Sequence, residues 1–90
     1  MPTGWTLARV REVGGLANDP RLLDTAGSTA TVETNEGIEP LNPLVIIDCG
    51  GLCLVLDDDG DWYMGQPDGQ EVIRCWGSYG SELDDALRAL

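Results

Sequence analysis

The chain contains no lysine, no histidine and no phenylalanine, and its five arginines stand against sixteen carboxylates, for a net charge of −11. Each absence closes off a class of chemistry. Without histidine there is no side chain that titrates near neutrality unperturbed, no Ser–His or Cys–His nucleophile pair, and no imidazole to complete a zinc site. So few cations leave little to neutralise phosphates, which argues against direct nucleic-acid binding and against anionic membrane surfaces. No segment approaches the roughly 20 apolar residues that span a bilayer. The start, Met1-Pro2-Thr3-Gly4-Trp5, has neither the basic region nor the apolar run of a secretory signal. The three cysteines are an odd number, which with that start points to reduced thiols and a cytoplasmic setting. The missing Lys, Phe and His beside abundant Gly, Ala, Leu, Asp and Arg match the coding bias of a GC-rich bacterial genome.

What is present fits a single domain, residues 1–90, large enough for a hydrophobic core but with a thin burial margin. Residues 44–90 carry ten acids and two arginines, −8, whereas residues 1–43 carry six and three, −3. Any electronegative face is therefore built by the second half.

Residues 5–13, Trp-Thr-Leu-Ala-Arg-Val-Arg-Glu-Val, read as a strand through the alternation Ala8-Arg9-Val10-Arg11, with Gly14-Gly15 ending the element. A helix there is the alternative. Residues 16–27 read as loop, with Asn18-Asp19-Pro20 as a turn and Leu22 and Leu23 tucked onto the core. Thr29 to Thr34 is β-branched and extended. Asn35-Glu36-Gly37 is a turn, and Pro40 and Pro43 do not suit a central strand. Four strands follow at 44–48, 52–57, 61–66 and 71–77, joined by loops short enough to force antiparallel neighbours. Ser81 is placed to cap a helix over 82–89. Leu83, Ala86, Leu87 and Leu90 form its apolar stripe, and the acids near its start and Arg88 near its end agree with the helix dipole.

With 57 facing 61 and 66 facing 71, the sheet separates into two faces. One collects Leu44, Ile46, Leu52, Leu54, Leu56, Trp62, Met64, Ile73 and Cys75 under the final helix. The other collects Val45, Ile47, Cys53, Val55, Tyr63, Val72, Arg74 and Trp76, too apolar to be plainly solvated. Either the amino-terminal strands close over it, or part of it stays open as a docking surface.

Among the clusters that could carry chemistry, Asp57-Asp58-Asp59-Gly60-Asp61 has the look of a calcium loop but not its spacing. An EF-hand frame with its glycine at the sixth place would run from Val55 to Gln66 and lack its first and twelfth ligands. A solvated hairpin is the better reading. Cys49, Cys53 and Cys75 are three thiols where a structural zinc site closes with four ligands, so they read as small buried hydrophobes. Asp48 beside Cys49 could support acid–base catalysis if burial raised its pKa, yet the usual activators of a cysteine nucleophile are missing. Tyr63, Arg74, Trp76 and Tyr79 are the types that anchor protein interfaces. Asp57, Asp58, Asp59 and Asp61, with Asp68 and Glu71, would give them a negative rim that steers a basic partner.

The run Asp19-Pro20-Arg21-Leu22-Leu23-Asp24-Thr25-Ala26-Gly27-Ser28-Thr29-Ala30-Thr31-Val32-Glu33 resembles the loop–strand passage of small SH3-like barrels, which implies a barrel-like topology. The expected fold is mainly β (α+β): a twisted antiparallel sheet of five to six strands forming a small partial barrel or sandwich, with a carboxy-terminal helix packed on it. A helix, four-strand meander, helix arrangement is the alternative. The expected function is a small acidic interaction domain, an inhibitor or immunity-like antidote that occludes a basic partner site, with neither catalysis nor cofactor. The rivals are a DNA mimic and an accessory or catalytic protein of a bacterial biosynthetic pathway. An exposed Trp76 would equally seal a homodimer.

Overall fold

The computed structural model describes residues 1–69 and 71–90. The elements run α1 (Leu7–Gly14), β1 (Arg21–Leu22), β2 (Thr29–Thr34), β3 (Gly37–Pro40), β4 (Pro43–Asp48), β5 (Cys53–Asp57), β6 (Trp62–Pro67), β7 (Val72–Ser78) and α2 (Leu83–Arg88). All seven strands share one sheet in the order β1-β4-β5-β6-β7-β2-β3. Every pairing is antiparallel except that of β2 with β7, which is parallel. The sheet is mixed and open, with seven strands instead of five or six. The passage that resembles an SH3-like barrel places β1 and β2 on opposite sides of the β4–β7 meander, so no barrel closes.

Residues 5–13 are not a strand. Thr6 accepts the Arg9 N–H at 3.1 Å as the N-cap, and Gly15, at φ 62°, ends α1 in the left-handed conformation. The Leu16 N–H returns to the Arg11 carbonyl at 3.0 Å, closing a Schellman-type end. Trp5 stands before the cap and Ala8 is exposed, which leaves Leu7, Val10 and Val13 as one helical stripe. The local alternation of residues 8–11 loses to these two end signals. At the other end Ser81 is not the cap: Glu82 holds that position without a side-chain bond, and α2 buries Leu83, Ala86 and Leu87.

Both helices cover the same face, over β4, β5 and β6. There Val10, Ile47, Leu54, Trp62, Met64, Leu83, Ala86 and Leu87 form one buried cluster, with Val45, Leu52, Leu56 and Tyr79 packed against it. Trp62 is its largest fully buried side chain, and truncating such a residue costs about 3–5 kcal/mol. The opposite face buries Ala30, Val32, Ile46, Cys53, Val55, Ile73 and Cys75, with no helix over them among the described residues, and is roofed by Leu23 and Leu41. These two leucines belong to the connections that cross from one side of the sheet to the other, β1 to β2 and β3 to β4. The Leu23 N–H bonds the Ile46 carbonyl and the Leu41 N–H the Ala30 carbonyl, each at 2.9 Å. Asp57, 7% exposed, fixes the second crossing by accepting the Asn42 N–H at 2.6 Å.

The faces differ from the expected sorting at two turns. The hairpin of β5 and β6 has 57 opposite 61, as expected. Between β4 and β5, Gly50 and Gly51 at φ 86° and 110° make a two-residue turn that sets Ile47, not Ile46, beside Leu54. Between β6 and β7, Glu71 is itself left-handed, at φ 60°, and Gln66 faces Arg74 instead of residue 71. Each displacement is an odd number of residues, so the affected side chains trade faces. Ile46, Ile73 and Cys75 line the helix-free layer, while Val45 and Ile47 lie under the helices.

Candidate functional site

On β7, Cys75 faces Gly65 and Gly77 faces Met64, which leaves Trp76 unpaired in a bulge. Bulges re-aim side chains, and here the indole emerges 46% exposed on the helix-bearing face, beyond the area the helices cover. Its Nε1–H donates to the Tyr79 hydroxyl at 3.2 Å, and Tyr79 packs on the core beneath α1 and α2. The aromatic pair is therefore anchored at one end and open at the other.

Next to Trp76, Arg74 pairs with Asp68 at 3.2 Å across the β6–β7 ladder. Parallel pairing brings Thr31 beside Arg74, and antiparallel pairing sets Ile38 beside Glu33. Thr31, Glu33, Ile38, Gln66, Asp68, Arg74 and Trp76 thereby line a cleft of 190 Å³, with Cys75 also touching it. Ile38 is 60% exposed on the opposite rim from β7. This uncovered half of the face, β7-β2-β3, depends on β3, which forms where a turn and an extended approach are expected.

Tyr63 does not join this patch. It lies on the other face of β6, packs against the helix-free cluster, and donates its hydroxyl to Asp59 at 2.9 Å. Burial first, then the hydrogen bond and charge of Asp59, push its pKa up to about 12. The acids of the β5–β6 turn also serve different ends. Asp57 is buried on Asn42, Asp59 caps the Asp61 N–H and receives Tyr63, Asp61 accepts the Ser78 hydroxyl at 3.4 Å, and Asp58 is exposed. This turn lies at the start of β6 and Gln66 of the cleft near its end, about 17 Å apart at a strand's rise per residue. The cleft's own acids are Glu33 and Asp68, not the turn's aspartates.

The second candidate centre dissolves on inspection of its charges. The Arg21 guanidinium, 2.8 Å from Asp48, and the Gly50 N–H hold the Asp48 carboxyl below its usual range, the opposite of what a general acid needs. Burial pushes Cys49 and Cys75 up to about 12 and Cys53 up to about 11, so none is a thiolate at neutral pH. All three cysteines are free, and among the described residues no three His, Cys, Asp or Glu side chains converge to hold a metal ion. A second hollow of 300 Å³ lies between Leu23, Asp24, Gly27, Ser28 and Glu71, where Asp24 already accepts the Ala26 N–H.

No helix among the described residues is long and apolar enough to cross a membrane. Comparison with protein families, with curated proteins and with solved structures finds no match to this chain.

Proposed function

We propose that the protein is a small acidic interaction domain that covers a basic site on a protein partner, as an inhibitor or immunity-like antidote does. The observation that carries this reading is the uncovered β7-β2-β3 face, where Trp76, Ile38 and Arg74 lie exposed together on a chain of net charge −11. Tryptophan and arginine dominate the anchors of protein interfaces, and a large net charge speeds encounter with a partner of opposite sign. The 190 Å³ cleft falls below the range of about 300–1,000 Å³ typical of small-molecule sites, which at this face favours a protein ligand over a metabolite.

The test is capture from a lysate on the immobilised chain, eluted in a salt gradient, with Trp76→Ala run in parallel. A basic protein retained by the wild type and released at moderate salt is expected. Trp76→Ala should hold it about 30-fold less tightly, the loss of a hot spot worth about 2 kcal/mol. Equal retention by a folded Trp76→Ala variant would remove this face from the proposal. Displacement of the captured protein by DNA would move the reading towards a DNA mimic.

A further inference from the structure

We infer that the cleft between β7 and β3 is a receptor for a single arginine side chain presented by the partner, an inference that rests on the basic-partner reading above. The size is the first reason. At 190 Å³ the cleft suits one long side chain better than a folded element or a cofactor. The second is the lining. Trp76 on β7 supplies an exposed aromatic surface and Ile38 on β3 an apolar wall for the methylene stem, and Glu33 stands between them on β2. Guanidinium over tryptophan with a carboxylate at its edge is a favourable arrangement for arginine, which stacks and bonds in one plane as lysine cannot. The chain makes the same stacking contact internally, where the Arg9 guanidinium lies 4.3 Å from the centre of the Trp5 ring.

The third reason is charge. Arg74 alone would repel a second cation, but Asp68 pairs with it at 3.2 Å, while Glu33 forms no ion pair among the described residues. Glu36, in the turn of the same hairpin, adds a further carboxylate and no cation. The surroundings are thus negative even with Arg74 counted.

The edge of β3 does not compete as the docking element. The Leu41 N–H bonds inward to Ala30, and by alternation the groups of residues 38 and 40 point outward, where Pro40 has no N–H to give. A partner strand would find a single donor, from Ile38. The partner therefore engages the face through a side chain.

The experiment is a titration of the isotope-labelled full chain by two-dimensional NMR, with a short blocked glycine-arginine-glycine peptide and its citrulline and lysine counterparts. The expected result is a shift of the Trp76 indole Nε1–H and the Ile38 amide with the arginine peptide and little with citrulline, which keeps the shape without the charge. Glu33→Gln should weaken that response about threefold, the scale of an exposed ion pair, with the remaining spectrum reporting an intact fold. Equal responses to arginine and citrulline, equal responses to lysine, or no response at all would overturn the arginine receptor. Shifts confined to Asp58, Asp59 and Asp61 would overturn the cleft while leaving a basic partner in place.

Discussion

At the scale of single residues, Gly65 and the thiols carry the clearest consequences. Gly65 sits between Cys53 on β5 and Cys75 on β7, and a Cβ there would run into the Arg74 carbonyl and the Cys75 Cα, both backbone. Gly65→Ala must displace a strand, and we expect a loss of about 3 kcal/mol, read from denaturant midpoints; an unchanged midpoint would show that β7 can yield. The thiols set an alkaline limit. Their folded pKa values, raised from 9.0 to about 11 for Cys53 and about 12 for Cys75, mean that the folded state binds these protons more tightly. That contribution is whole below the unfolded value and is lost as pH rises through the folded ones. Denaturant midpoints should therefore fall as pH rises from about 9 to about 11, and less steeply in a Cys53→Ala, Cys75→Ala variant. Equal slopes in the two proteins would assign the alkaline loss elsewhere. These residues show the limit of reading chemistry from composition. That the cysteines behave as small hydrophobes followed from their number and from the missing histidine, whereas the direction of the Asp48 shift depended on Arg21, twenty-seven positions away and brought near only by strand pairing.

At the scale of elements, that same pairing gives β1 its use. Two residues make a poor strand, yet Arg21 on β1 faces Asp48 on β4 and their side chains join at 2.8 Å. Because the Asp48 pKa is lowered, the stabilisation is present above the unfolded carboxylate value of 3.8 and is lost as pH falls through the lower folded one. Arg21→Gln should be less stable than the wild type at neutral pH, and the gap in urea midpoints should narrow as pH falls below 3.8 and Asp48 takes up its proton. A gap that persists in acid would make the contribution of Arg21 one of packing. The elements that repeat a simple pattern were legible in the chain. Thr29–Thr34, the four meander strands and the carboxy-terminal helix were all anticipated within one or two residues. The amino-terminal helix stood only as the alternative to a strand, because Trp5 and Ala8 obscured its stripe and the Thr6 cap looks like any threonine. Sheet faces were lost wherever register depended on φ at Gly50, Gly51 and Glu71. That error put Tyr63 with Arg74 and Trp76, whereas Ile38 and Glu33 come beside them only through β3 and the parallel pairing of β2 with β7.

At the scale of the whole molecule, sixteen carboxylates and five arginines share one small surface, and their mutual repulsion acts on the fold and on binding with opposite signs. Raising salt from about 0.01 M to about 0.15 M shortens the screening length from about 30 Å to about 8 Å. The melting temperature should rise over that range while affinity for a cationic partner falls. A melting temperature that drops would mean that the arginine pairs outweigh the repulsion. The parallel pairing of β2 with β7 has a consequence of another kind. The meander strands join near neighbours in the chain, but Thr29 and Val72 meet across forty-three positions. Contacts so distant in sequence carry a larger loop-closure cost than a hairpin does. The cleft straddles that seam, with Trp76 and Arg74 on one bank and Glu33 and Ile38 on the other. An occupant that touches both banks ties together two distant parts of the chain, so recognition would reinforce the pairing that costs the chain most to close.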